Sequence, residues 1–223
     1  KVHGVLAESI TPNADFTQWT IKIRSGIKFT DGTDVNADAV LRNLNETGSG
    51  LLVSKALVDL ARNADGTFKS TKADDLTFTL FTGKAGDPTK PIAWPGFDFY
   101  LTGQWGLIAS PTWLDAVKAD PTKATAPIGS GPFKFIKDER IPGSKVVFAR
   151  NEAYVPRSGG TPSFNAGPKI VNVDRVEWNF IPDPATSAAA LQQGEIDWWE
   201  NPSIDLIPQM KKNKKLWIGV NAG

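Results

Sequence analysis

The sequence predicts a mixed α/β fold, and three observations carry that prediction. Several short stretches alternate apolar and polar residues with period two. Between them lie stretches whose apolar residues recur every three or four positions behind a capping residue. Gly, Asp and Pro turn signals separate the two kinds, so strands and helices interleave along the chain.

The first strand falls in 17–29, TQWTIKIRSGIKF. Trp19, Ile21 and Ile23 point one way and Thr20, Lys22 and Arg24 the other. Asp31-Gly32-Thr33 is a turn. A helix follows, with Asn36 as its N-cap, Asp38 in the first turn, and Ala37, Val40, Leu41 and Leu44 on one face. LLVSKALVDLA at 51–61 reads as a second helix, and DDLTFTLFT at 74–82 as a strand. Gly, Pro and aromatic residues crowd 83–111, and 112–119 reads as a short helix. A boundary near Ser110–Pro111 divides the chain into 1–110 and 111–223.

In the second part, IGSGPFKFI at 128–136 is a glycine turn feeding a strand, and SKVVFARN at 144–151 is its antiparallel partner. A loop over 154–168 leads to a strand in VDRVEWNFI, 173–181, with Val176, Trp178 and Phe180 on one face. DPATSAAALQQG is a helix capped by Asp183, with Pro184 at its first position and Gly194 as its stop. EIDWW then reads as a short strand. IDLIPQMKKN reads as a helix capped by Asp205, which makes Pro208 tolerable, and KLWIGV closes with a strand.

Composition removes several functions. Forty per cent of the 223 residues are hydrophobic and 22% charged, as in an ordinary globular protein. Lys+Arg (25) and Asp+Glu (24) nearly cancel, so charge gives no reason to bind nucleic acid or an anionic membrane. No apolar run is long enough to span a bilayer. Neither a signal-peptide pattern nor an initiating Met is present, so the chain reads as a mature or trimmed piece. Cys is absent and His3 is the only histidine, which argues against Ser–His–Asp and Cys–His catalysis and against zinc–thiolate sites. GSGPFK lacks the spacing of a phosphate loop and precedes a strand, so it reads as a turn. Asp31, Asp34 and Asp38 do not follow the calcium-loop pattern and read as turn, strand end and cap. No metal or cofactor is expected.

The stretch GEIDWWEN, 194–201, holds three carboxylates and two tryptophans. Glu195 and Asp197 alternate with Ile196 and would share one face of a strand. Such a pair could serve a glycosidase, but same-strand neighbours read better as a solvated edge. KKNKK at 211–215 reads as a basic helix end, favourable to the helix dipole.

The run LAESITPNADFTQWTIKIRSGIKFTDGTDVNADAVLRNL resembles the signature of the extracellular solute-binding proteins of peptide and nickel ABC importers. Trp19, Arg24, Gly26, Lys28, Phe29, Asp31, Gly32, Thr33, Ala37 and Val40 stand at signature positions. Asp34 replaces the usual Pro, and Asn36 the usual Thr. GSGPFKF with VVFARNEAYV, and ALQQGEIDWW, are similar to two further motifs of that family. The resemblance implies a type II periplasmic-binding-protein-like lobe with an accessory α+β domain, 1–110 being the accessory domain and 111–223 part of the first main domain, with the first strand segment and the second lobe of the same protein absent. It implies a binding protein rather than an enzyme, located outside the cytoplasmic membrane in the periplasm or membrane-anchored. Such a protein delivers peptides to an ABC permease. Another solute, such as a nickel complex, glycoside, opine or siderophore-like ligand, and a carbohydrate-active enzyme are the alternatives. It also places the loop after GEID at the cleft, so Trp198, Trp199, Glu200 and Asn201 are the expected ligand-facing residues. Gln104 and Trp105 in TGQW are further candidates. Alternation leaves one of Trp198 and Trp199 free for ligand, and core packing of both is the competing reading.

Overall fold

A computed structural model describes residues 2–50, 60–83, 90–161 and 166–219. Their packing forms two units, 1–137 with 148–176, and 138–147 with 177–223. At the expected boundary Ser110–Pro111, Ser110 is fully buried and bonded to Asp31.

The first unit is organised on a four-stranded antiparallel sheet. Strands β1 (Ala7–Pro12), β2 (Gln18–Ile23), β3 (Ser70–Lys72) and β4 (Thr77–Phe81) lie in the order β1-β2-β4-β3. Period-two alternation in β2 works as the sequence predicts. Trp19, Ile21 and Ile23 are buried, while Thr20 faces outward and pairs its hydroxyl with Thr79 at 2.9 Å. The expected helix over 51–61 falls largely outside the described residues. Its last two positions are extended, with Leu60 bridged to Thr82 and the Ala61 N–H donating to Phe81 O at 2.8 Å.

Helix α1 (Ala37–Gly50) starts where expected, because the Ala39 N–H donates to Asn36 Oδ1 at 2.9 Å. Its apolar face buries Ala37, Val40 and Leu44 in the core formed with Phe29, Phe68, Phe78, Leu80, Phe97 and Trp105. Each large side chain removed from water there contributes on the order of 2 kcal/mol. Asn43 sits in the same buried layer and is fully satisfied. Its amide nitrogen donates to Ala39 O (2.8 Å) and Ala109 O (2.7 Å), and its oxygen accepts from the Ala109 N–H at 2.8 Å.

The turn 29–34 is built by Asp31, whose Oδ1 accepts from the Thr33 N–H (3.0 Å) and hydroxyl (2.6 Å). Its other oxygen accepts from the Ser110 hydroxyl at 2.5 Å. Ser110 Oγ in turn accepts from the Thr112 N–H and caps helix α3 (Pro111–Ala119), with Pro111 in the first turn. The Thr30 N–H donates to Gly129 O and the Ser110 N–H to Ile128 O, so the turn, the helix start and the glycine turn meet in one hydrogen-bonded knot. Burial pushes the Asp31 carboxyl up, but the bonds from Ser110 and Thr33 outweigh it and hold the group below its ordinary range. Helix α2 (Phe97–Tyr100) precedes α3 and buries Phe97.

Strands β5 (Phe133–Phe135), β6 (Lys145–Arg150) and β7 (Arg175–Asn179) form a second sheet in that order. The expected antiparallel pair is present, with Phe133 opposite Arg150 and Phe135 opposite Phe148. Asn151 pins its open end by donating to Gly131 O at 2.8 Å while its own N–H donates to Pro132 O at 2.9 Å. Trp178 and Phe180 of the β7 face are both exposed.

Helix α4 (Pro184–Gln193) in the second unit follows the predicted grammar. The Thr186 N–H donates to Asp183 Oδ2 at 2.7 Å, and Gly194 takes the left-handed φ of 77° that ends the helix. Helix α5 (Ile207–Met210) differs from expectation. A 3-10 turn, Ile204–Leu206, precedes it, and Asp205 lies inside that turn instead of capping the helix. The only buried residue of α5 is Met210. Neither EIDWW nor the described part of KLWIGV is a strand. A strand requires a partner for its N–H and C=O groups, and no described segment pairs with either stretch.

Candidate ligand-facing site

The loop after α4 is framed by two residues in left-handed conformation, Gly194 and Asn201, the latter at φ 55°. Asn tolerates this region better than other side-chain-bearing residues. The Gly194 and Glu195 N–H groups turn back onto Leu191 O (3.2 Å) and Ala190 O (2.9 Å), fixing where the loop leaves the helix. Between the framing residues, Trp198 is 80% exposed while Trp199 is half-buried. The two indoles therefore differ in access, although the strand expected to separate them is absent. Glu200 and Asn201 are exposed beside Trp198. Glu195 and Asp197 are exposed as well, and neither has an ion-pair partner among the described residues. An exposed indole next to a carboxylate and an amide can stack on an apolar or planar group and bond to a polar one.

Trp105 is placed otherwise. It is 1% exposed, its ring meets Phe68 and Phe97 edge-on at 5.7 and 5.8 Å, and its N–H donates to Leu44 O at 3.1 Å. The indole is thus a packed core residue of the first unit, closed to a ligand. The 3-10 turn Gln104–Gly106 carries it inward, and Gly106 passes so near Leu101 O that a Cβ would collide with that backbone. Gln104 opens this turn, and its side chain lies outside the described residues.

Several features of the first unit were not anticipated. Phe99, on the short helix just before TGQW, is 69% exposed, and Asp98 beside it lines a cavity of ≈ 330 Å³ with Arg157 and β1 residues. Their signal in the sequence was only the aromatic-rich run 94–100, which does not tell inward from outward rings. Arg24 donates from Nε to Val5 O (2.9 Å) and from its terminal nitrogens to Val155 O (3.1 Å) and Pro156 O (3.3 Å). Burial lowers its pKa, helped by the charge of Arg157 and opposed by Tyr154. Burial also raises the pKa of the Tyr154 phenol, against the opposing charge of Arg24. Arg24 therefore acts as a strut between the signature run and the segment after β6, which explains its place in the motif without assigning it to a ligand. A second cavity, of ≈ 240 Å³, opens beside Arg150, Asn151 and Tyr154. No group of three or more His, Cys, Asp or Glu side chains among the described residues is arranged to hold a metal ion.

Comparison with known proteins gives concordant matches. The model of the bacterial extracellular solute-binding proteins, family 5, middle region, matches residues 1–222. The chain is 36% identical over 209 residues to the probable peptide ABC transporter periplasmic-binding protein y4tO of Sinorhizobium fredii, covering 91% of this chain and 35% of that protein. It is 29% identical over 219 residues to the glutathione-binding protein GsiB of Shigella flexneri, covering 97% of this chain and 37% of that protein. Among solved structures it superposes on the ABC transporter substrate-binding protein CtaP of Listeria monocytogenes with a TM-score of 0.67 at 24% identity, covering 94% of this chain and 38% of that one. It also superposes on the periplasmic binding protein DppA of Helicobacter pylori in complex with the peptide STSA, with a TM-score of 0.68 at 20% identity, covering 95% and 40%. The chain thus spans little more than a third of the length of the relatives it matches.

Proposed function

We propose, from the premise that this chain belongs to the bacterial extracellular solute-binding proteins of family 5, that it is part of the substrate-capturing component of an ABC importer and that its solute is a peptide. The observation that carries the reading is the family match across residues 1–222, joined by 36% identity to a peptide-type relative. Such a component works outside the cytoplasmic membrane, in the periplasm or on an anchor, and hands its solute to the permease. It does no covalent chemistry. Residues 1–110 correspond in this reading to the small accessory domain and 111–223 to part of the first main domain of a type II binding protein.

Within this chain the loop Trp198–Asn201 faces the solute. Trp198 supplies an exposed ring, Glu200 and Asn201 supply polar contacts, and the half-buried Trp199 backs the loop. Gln104 belongs to the same reading as a weaker contact, and Trp105 supports it from the core. Calorimetric titration of the full protein with trialanine tests this. Binding is expected without turnover, with Trp198→Ala weakening it about tenfold, as for an aromatic anchor. Hydrolysis that disappears in Glu195→Gln or Asp197→Asn, or no binding at millimolar peptide, would overturn it. A second reading, a glutathione-type solute, is supported by the 29% identical relative, and glutathione in the same titration distinguishes the two.

A further inference from the structure

The sequence holds two Asp-Gly steps, Asp31-Gly32 and Asp65-Gly66, and both sit in the same kind of turn. Gly32 and Gly66 take φ of 88° and 85°, a region that glycine enters without strain. Their N–H groups donate to Phe29 O (2.9 Å) and Asn63 O (3.0 Å). The Thr33 and Thr67 hydroxyls donate to Oδ1 of Asp31 and Asp65, each at 2.6 Å, and the N–H groups of the same threonines donate to those oxygens at 3.0 and 2.9 Å. Antiparallel bridges close both turns, Lys28 with Asp34 and Arg62 with Phe68, and the cation of each bridge donates to the glycine carbonyl. The local surroundings of the two steps are therefore matched.

What differs is the grip from elsewhere in the chain. Asp31 Oδ2 accepts from the buried Ser110 hydroxyl at 2.5 Å, and the Thr30 N–H donates to Gly129 O at 2.9 Å. Phe29, at the root of that turn, is buried. Asp65 Oδ2 and the Ala64 N–H have no hydrogen-bond partner among the described residues, and residues 63–66 are all exposed. An exposed tip opens locally at lower cost than a segment tied into a core.

We propose that Asp65-Gly66 is a site of spontaneous isomerisation to isoaspartate, and that Ser110 withholds the same reaction from Asp31-Gly32. Once the turn opens, the Gly66 amide nitrogen attacks Cγ of Asp65. An N–C bond forms and a C–O bond of the carboxyl breaks. That oxygen leaves as water, taking the amide proton and the carboxyl proton. Water then opens the cyclic imide at either carbonyl, which returns aspartate or gives isoaspartate. No oxidant and no second substrate enters. Glycine favours the attack because no side chain crowds its nitrogen. At Asp31 the carboxyl must leave Ser110 as well as Thr33, one bond more before the ring can close. In isoaspartate the main chain gains a methylene and the carboxylate moves to the α-carbon. The Thr67 bonds to Asp65 are then lost and the Arg62–Phe68 bridge loses its register. The inference does not rest on the solute proposed above.

Peptide mapping of the full protein, aged in neutral buffer made with oxygen-18 water, tests it. Trypsin separates the two steps into peptides 29–42 and 63–69, and electron-transfer fragmentation tells isoaspartate from aspartate. Isoaspartate is expected to accumulate about tenfold faster in 63–69, the factor that one further hydrogen bond of ~1.4 kcal/mol holds back. In urea the two steps are expected to react at equal rates, because both read Asp-Gly-Thr. Ser110→Ala is expected to raise the rate in 29–42 and to leave that in 63–69 unchanged. The comparison of native protein with urea needs no variant, so it decides the matter even where Ser110→Ala does not fold. Equal rates in the folded protein, or a difference that persists in urea, would overturn the proposal. A folded Ser110→Ala protein with an unchanged rate in 29–42 would remove Ser110 from it.

Discussion

Replacing Trp105 by alanine separates the two roles that its sequence context allows. The indole is 1% exposed and packs edge-on against Phe68 and Phe97, with its N–H bonded to Leu44 O at 3.1 Å. Removing it deletes a large apolar body, two ring contacts and one hydrogen bond. Truncation of a buried Trp costs about 3–5 kcal/mol. Each ring pair accounts for about 1 kcal/mol of that and the hydrogen bond for another ~1 kcal/mol. Against a total stability of about 5–15 kcal/mol the loss is large, and the melting temperature is expected to fall by on the order of 10 °C. Trp105→Phe keeps a ring in the site and loses the N–H, so about 1–2 kcal/mol is expected. Urea unfolding followed by circular dichroism measures both, and trialanine titration of the folded fraction measures the ligand side. A Trp105→Ala protein that unfolds at the wild-type urea concentration but has lost its peptide would refute the core assignment.

The other expectations follow from caps, turns and the buried knot. Asp183→Ala removes the oxygen that accepts from the Thr186 N–H and is expected to lower the melting midpoint by a few degrees, and an unchanged midpoint would show that the cap is idle. Gly194→Ala forces a side chain into φ 77° and is expected to cost about 1 kcal/mol, measured by urea unfolding, with Gly194→Asn costing less. Asp31 has a folded pKa below its unfolded value, so the stability it contributes is full above about pH 4 and is lost as pH falls through the lower folded value. Asp31→Asn is expected to flatten the acid limb of the stability profile. Ser110→Ala removes one of the bonds that lower the pKa and is expected to move the Asp31 carboxyl upward, as followed by carbon-detected titration. A carboxyl that stays in place would mean that Ser110 does not stabilise the charged form.

Legibility in the sequence tracked how local the controlling physics is. The β2 alternation, the Asn36 and Asp183 caps and the Gly194 stop each depend on a few neighbouring residues, and the structure has all of them. EIDWW and KLWIGV carry strand-type residues, but a strand exists only by virtue of another segment, and pairing is not written in either stretch. Trp105 and Trp198 show the same limit at the site. One indole is 1% exposed and the other 80%, yet both sit in short aromatic segments after glycine-containing turns. Burial is set by what arrives from elsewhere in the chain, here Leu44, Phe68 and Phe97, so residue type and spacing could not rank the two. The Asp98 and Arg157 cavity was invisible for the same reason, its walls coming from three distant parts of the sequence.

The amide of Asn43 has a kinetic consequence. Buried itself, it satisfies both the N–H and the C=O of the half-buried Ala109, 66 residues away. Until residue 109 arrives, α1 carries a polar group on the face that must dry against the sheet, so the helix is not rewarded for docking early. Loop closure and core drying are thereby coupled into one event of high contact order, and the intermediate with α1 packed but 109 undocked is penalised. Substituting Asn43 with Leu would relieve that penalty and let the helix collapse onto the sheet first, at the risk of leaving the Ala109 peptide stranded in the finished fold. Stopped-flow refolding would then show a faster early phase and a slower, incomplete final one.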